Sequence, residues 1–179
     1  DLEFQDRTQI TLEEYFLMID KKTAKMLELS VQLGGILGNA SSGHLEALSQ
    51  YANASGIAFQ VQDDLLDIAA DGAKLGKTIG GDILEGKKTF LIIKALEKRD
   101  SMSQNDRLLL EHFLAERGLK AEHIPEMQRL FERNGIFEEA RAEVATLTEK
   151  AHRALDSLPN SHGNAYLHEF ATMLLERTH

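Results

Sequence analysis

Apolar residues recur at helical spacing along almost the whole chain, and no stretch alternates as a half-buried strand would. Thr11 followed by Glu14 makes a capping box that starts a helix. Tyr15, Ile19, Met26, Leu29 and Leu33 give this helix one apolar stripe, and Gly34, Gly35 and Gly38 weaken it before a loop over 38–43. A second helix runs from about His44 to Ala70. Residues 71–81 hold four glycines and no stripe, which predicts a loop. A third helix is expected to begin near Asp82 and to carry Phe90, Ile93 and Leu96 inward. Ser101–Asp106 is a polar break, and Leu108–Arg117 is a short helix closed by Gly118. Pro125 suits the first turn of a helix ending at Asn134–Gly135. Ile136, Ala140, Val144, Leu147, Ala151, Leu155 and Leu158 form a sustained seam in the next helix, stopped by Pro159. Leu167, Phe170, Ala171 and Leu174 stripe the last. The pattern predicts an all-α fold. No repeat or linker interrupts it, so residues 1–179 read as a single domain.

Composition sharpens this in three ways. Ala, Leu, Glu and Lys are abundant and there are only 2 prolines, as a helical chain requires. The net charge of −9 argues against a nucleic-acid partner, whose phosphates need Lys and Arg. No apolar run reaches the roughly 18 residues of a membrane span. No charged n-region leads into an apolar h-region. The absence of cysteine removes disulfides and thiolate chemistry, and fits a reducing compartment. The first residue is Asp1 rather than Met, so the chain is expected to be processed or truncated.

The candidate chemistry concentrates in residues 54–90. Asp63, Asp64 and Asp67 place three carboxylates within five positions of a predicted helix. At helical spacing they share an arc of about 100° with Gln60. Ile57, Val61, Leu65 and Ile68 fall on the opposite side. Like charges this close repel unless something cationic neutralises them. Hard divalent ions prefer carboxylate oxygen, and Mg²⁺ takes one or two carboxylates together with waters and substrate phosphates. The plainer reading, a solvated acidic face, is weakened by Phe59, Val61, Leu65 and Leu66 interleaved with the motif.

A glycine-punctuated segment with Lys77 and Lys87 follows directly. It is not a nucleotide P-loop. Residues 72–78 are one residue short, Lys88 stands where Ser or Thr is needed, and a helix rather than a strand precedes. Its glycines permit close backbone approach and its lysines supply point charges to phosphate oxygens. Lys22-Thr23 sits mid-helix and taken alone reads as a solvated lysine and a back-bonded threonine. The seven histidines are scattered, with no pair at metal-site spacing, and read as surface or partly buried groups.

These residues together resemble the trans-isoprenyl diphosphate synthases, the polyprenyl synthetases. Residues 15–24 (YFLMIDKKTA) are similar to that family's tyrosine–methionine–lysine–threonine helix. Residues 56–67 (GIAFQVQDDLLD) resemble its second aspartate-rich motif with the preceding Phe-Gln, and residues 76–89 (GKTIGGDILEGKKT) its lysine loop. The resemblance implies an isoprenoid-synthase-type bundle of antiparallel helices around a central cavity. It implies head-to-tail transfer of an allylic prenyl diphosphate onto isopentenyl diphosphate in a cytoplasmic homodimer that uses Mg²⁺, with Mn²⁺ as a substitute. Asp63, Asp64 and Asp67 would hold the metal, with Asp63 and Asp67 facing it most directly by helical angle and Asp82 a weaker second candidate. Lys22, Lys77 and Lys87 would bind the allylic diphosphate, and Thr23 and Gln60 would steady the cation and the diphosphate oxygens.

The family also carries an earlier aspartate-rich motif and arginines for isopentenyl diphosphate, and nothing in these 179 residues matches them. The chain therefore resembles the second half of a synthase and is expected to form a partial bundle, inactive alone. Two other readings compete. One is a non-catalytic subunit that modulates an active synthase. The other, ranked lower, is a terpene cyclase on the same fold.

Overall fold

In the computed structural model, Arg7, residues 10–69 and residues 79–176 are described, with side chains through Met173. Helices α1 (Leu12–Ile19), α2 (Lys25–Leu37), α3 (Ser42–Ala69), α4 (Gly81–Leu84), α5 (Phe90–Glu97), α6 (Gln104–Glu116), α7 (Ile124–Arg133), α8 (Ile136–Leu155) and α9 (His162–Glu176) follow in order, and no strand occurs among the described residues. The capping box closes reciprocally. Glu14 N–H donates to Thr11 Oγ1 at 3.2 Å, and Thr11 N–H donates to Glu14 Oε2 at 3.0 Å.

Two compact units emerge. One combines the chain up to Tyr15 with Asp63–Arg141. Its buried side chains include Leu65 and Ile68 of α3, four successive apolar residues Phe90–Ile93 of α5, and Leu110, Phe113, Met127, Leu130 and Phe131 of α6 and α7. The other combines Phe16–Gln62 with Ala142–Arg177. Its core gathers Tyr51, Ala52 and Ala54 of α3 with Ala151 and Leu155 of α8 and Ala171 of α9. The Tyr51 hydroxyl donates to the Leu167 carbonyl at 3.0 Å, so even this aromatic core residue satisfies its polar end.

The expected stripe of the first helix fails beyond Ile19. Tyr15 and Ile19 are buried, but Met26, Leu29 and Leu33 are each more than half exposed. The cause is a π-helical turn at Asp20–Ala24, which inserts one residue between α1 and α2. The inward face then continues through Ala24, Leu27 and Val31. The extra residue turns Met26, Leu29, Leu33, Ile36 and Leu37 outward as one apolar face.

The predicted third helix is two helices. Gly86, at φ 69°, breaks it between α4 and α5, because the backbone there lies against the end of α6. A Cβ at Gly86 would stand 2.0 Å from the Arg117 carbonyl oxygen. The polar break ends earlier than expected, since Ser103 caps α6 by accepting Asp106 N–H. The Pro125 start, the Asn134–Gly135 stop and the α8 seam through Leu155 hold as expected, but α8 ends at Leu155, so Leu158 packs from the turn before Pro159 rather than from the helix. Phe170 is 38% exposed, outside the inward stripe of α9, while Ala171 is buried; Leu174 lies outside the described side chains. Among the described residues, the histidines include two close pairs that spacing did not show, one of them His112 and His123, edge-on with 5.3 Å between ring centroids. His152 of α8 and His168 of α9 stack with Nδ1 atoms 2.7 Å apart.

Candidate diphosphate and metal site

Helix α3 supplies the acidic motif, and the structure gives its three aspartates three different environments. Asp63 is exposed, Asp67 is partly buried, and Asp64 is only 5% exposed. Asp67 Oδ2 accepts the N–H of Asp82 at 3.0 Å, which ties the first turn of α4 to the end of α3. The Gly80 N–H, one residue before α4, donates to the Asp67 carbonyl at 2.8 Å. Burial pushes the Asp67 carboxyl up, and the nearby Asp82 carboxylate pushes the same way against the stabilising Asp82 N–H.

Asp64 points into protein. Its Oδ2 accepts the Tyr15 hydroxyl at 2.6 Å and the Phe90 N–H at 3.0 Å. Tyr15 is 1% exposed and meets the Phe90 ring edge-on, 6.2 Å between centroids. Burial, reinforced by Asp64, holds the phenol well above its usual range, so it remains a donor. Reading Tyr15 only as a stripe residue missed this role. A tyrosine whose hydroxyl is destined for the interior needs a polar partner, and that requirement was the available signal.

The lysine segment is joined to the acidic one. Lys87 Nζ lies 2.7 Å from Asp82 Oδ1 and 2.9 Å from Glu85 Oε2, and the hydrogen bond to Asp82 holds its ammonium well above the usual lysine range. The neighbouring Lys88 points into the protein instead. It is buried, donates to the Gly86 carbonyl at 3.1 Å and sits 5.0 Å over the Phe113 ring. Burial lowers its pKa. Lys77 lies outside the described residues.

In the other unit, Lys22 and Thr23 occupy the π turn and Gln60 faces them from α3. Thr23 is not back-bonded. Its hydroxyl donates to Gln60 Oε1 at 3.3 Å. The contact depends on Gly56, since a Cβ there would come within 2.6 Å of the Ala24 Cα. Lys22 and Lys21 are exposed.

The polyprenyl synthetase family model matches residues 1–131. The chain belongs to this family. It is 38% identical over its full length to a short chain isoprenyl diphosphate synthase of Methanothermobacter thermautotrophicus, covering 54% of that protein. It is 36% identical to a geranylgeranyl pyrophosphate synthase of Geoglobus acetivorans, again along its whole length and over 53% of that protein. The solved geranylgeranyl pyrophosphate synthetase of Pyrococcus horikoshii superposes with a TM-score of 0.86 at 35% identity, covering 99% of this chain and 53% of that one. The fold is thus the all-α fold of the polyprenyl synthases. The chain spans about half the length of the relatives it matches.

Among the described residues, no three His, Asp or Glu side chains converge as a metal-holding group. The donor set still suits Mg²⁺. Asp63 and Asp67 offer hard oxygens one helical turn apart, and Mg²⁺ needs only one or two carboxylates when phosphate and water complete the shell. The Asp67 and Asp82 carboxylates lie close enough to repel, and Lys87, paired with Asp82, offsets part of that charge.

Proposed function

We propose that this chain is part of a trans-prenyltransferase that condenses isopentenyl diphosphate head-to-tail with an allylic diphosphate, dependent on Mg²⁺. The observation that carries this reading is the union of acidic and basic motifs through Asp82. Its N–H binds Asp67 and its carboxylate holds Lys87. A group that must receive a cation and a group that receives an anion are built into one turn, as a metal–diphosphate ligand requires. The names of the relatives, isoprenyl diphosphate and geranylgeranyl pyrophosphate synthases, support the same chemistry.

Asp63 and Asp67 hold the metal in this reading, with Asp64 in the same motif and Asp82 behind them. Bound Mg²⁺ supplies positive charge to the oxygens of the departing diphosphate. Lys22, Lys77 and Lys87 take diphosphate oxygens as point charges. Asp82 keeps Lys87 charged and oriented until it exchanges that partner for the ligand. Thr23 and Gln60 steady the cation and the diphosphate oxygens through their hydroxyl and amide. Residues 1–179 act as one portion of a polyprenyl synthetase domain, in a cytoplasmic homodimer. The outward apolar face of α2 supports the dimer.

The test is turnover of isopentenyl and allylic diphosphates by the full-length protein. Asp63→Ala lowers kcat by about a hundredfold or more, and the 179 residues alone show no turnover. Near-normal activity of the variant overturns the reading.

A further inference from the structure

We infer that Asp64 is a positioning residue rather than a metal ligand: it clamps α1 and α5 onto the acidic turn of α3, while the outer aspartates hold the metal. The inference rests on the metal–diphosphate reading above and divides its labour among three adjacent carboxylates.

A buried carboxylate is costly unless its oxygens are hydrogen-bonded. Asp63 meets this requirement by staying exposed and Asp67 by staying partly so. Asp64, at 5% exposure, meets it through protein donors. Tyr15 supplies a hydroxyl from α1 and Phe90 a backbone N–H from α5. The Phe90 N–H belongs to the first residue of α5, whose first-turn N–H groups have no partner within the helix. The residue before it, Thr89, is in position to cap but does not. Its side chain makes no cap bond, and its buried hydroxyl finds no hydrogen-bond partner among the described residues. Asp64 does the capping instead, from 26 residues away. The positive end of the α5 dipole favours an acidic side chain there. Asp64 is therefore stabilised by protein groups and needs no metal to account for its burial.

The clamp matters for function because Lys87 lies two residues before Thr89 in the segment that enters α5. Fixing Phe90 to Asp64 fixes the end of that segment relative to Asp63 and Asp67 on the same helix. Tyr15 closes the arrangement from α1.

The experiment uses the full-length protein. Mn²⁺ binding in the presence of inorganic pyrophosphate is followed by electron paramagnetic resonance, and thermal midpoints are measured in parallel. Asp64→Asn keeps an acceptor oxygen and binds Mn²⁺ within about twofold of the parent, whereas Asp63→Asn weakens binding about tenfold or more. Tyr15→Phe and Asp64→Ala each lower the thermal midpoint, and the double variant falls by clearly less than their sum. Asp64→Asn recovers most of the stability that Asp64→Ala loses. The inference is overturned if Asp64→Asn weakens Mn²⁺ as much as Asp63→Asn does, or if the Tyr15 and Asp64 effects are additive. If Asp63→Asn leaves Mn²⁺ binding unchanged, the metal reading fails, while the stability cycle still decides the clamp.

Discussion

Asp106 takes a carboxylate out of water near the start of α6. Its own N–H is accepted by the Ser103 hydroxyl, and its oxygens receive the Arg133 guanidinium and the Asn134 amide. Burial alone would push the carboxyl up. The hydrogen bonds, led by Arg133, outweigh it and hold the carboxyl below its usual value. A carboxyl lowered in the folded state stabilises the protein above its unfolded pKa, about 3.9, and that contribution disappears as pH falls through the folded value. Asp106→Ala should cost about 2 kcal/mol at neutral pH, since the hydrogen bonds lost are charge-assisted and half-exposed Arg133 can return to water. Thermal midpoints measured from pH 7 down to about pH 2 check this. The gap between parent and variant should narrow in the acid range. A gap that stays constant with pH means the ion pair is not its source. The sequence marked this residue only as part of a polar break, because its partners come from α7 and the turn after it, 27 and 28 residues on.

Glycines show most plainly how elements meet. Gly86 combines φ 69° with a backbone approach that leaves no room for Cβ, whereas nothing lies within 4 Å of a Cβ built at Gly34 in α2. Gly86→Ala should destabilise by about 3 kcal/mol or more, and it should also displace Lys87. Gly34→Ala should be stabilising by up to about 1 kcal/mol, from helix propensity alone. Chemical denaturation of the two variants separates these cases, and equal effects would contradict the geometry. The capping box located the start of α1, and periodicity located α3 closely because a long amphipathic helix carries many independent matches to one template. It missed the π turn because an inserted residue leaves every local propensity intact and changes only the phase of the residues after it. The apolar spacing of Met26, Leu29 and Leu33 was real. It continued a straight helix that the chain does not form.

For the whole molecule, that phase shift leaves a consequence in solution. Met26, Leu29, Leu33, Ile36 and Leu37 are 65%, 54%, 52%, 58% and 88% exposed along one side of α2. A contiguous apolar face of this kind is usually covered by a partner surface. In the homodimer proposed above, a second copy covers it. Light scattering should report a dimer, and Leu29→Glu with Leu33→Glu should yield monomers that keep their helical circular dichroism. A folded parent monomer would contradict the assignment.

The sequence alone determined the helical class, most helix positions, and the family, because each rests on local spacing: apolar periods, caps, and motifs contiguous in the chain. It also placed Asp63, Asp64, Asp67, Lys22, Thr23, Gln60 and Lys87 in one chemical story. Helical angle put the three aspartates on one arc, with Asp63 and Asp67 facing most directly, but could not give their burial, which depends on what packs against the helix. Only the tertiary structure decided that Asp64 faces Tyr15 and Phe90, that Asp82 joins Asp67 to Lys87, and that Thr23 reaches Gln60. Each is a contact between residues far apart in the chain or across a turn whose path local spacing does not define. A carboxylate's role here depends on which donors the fold brings to it.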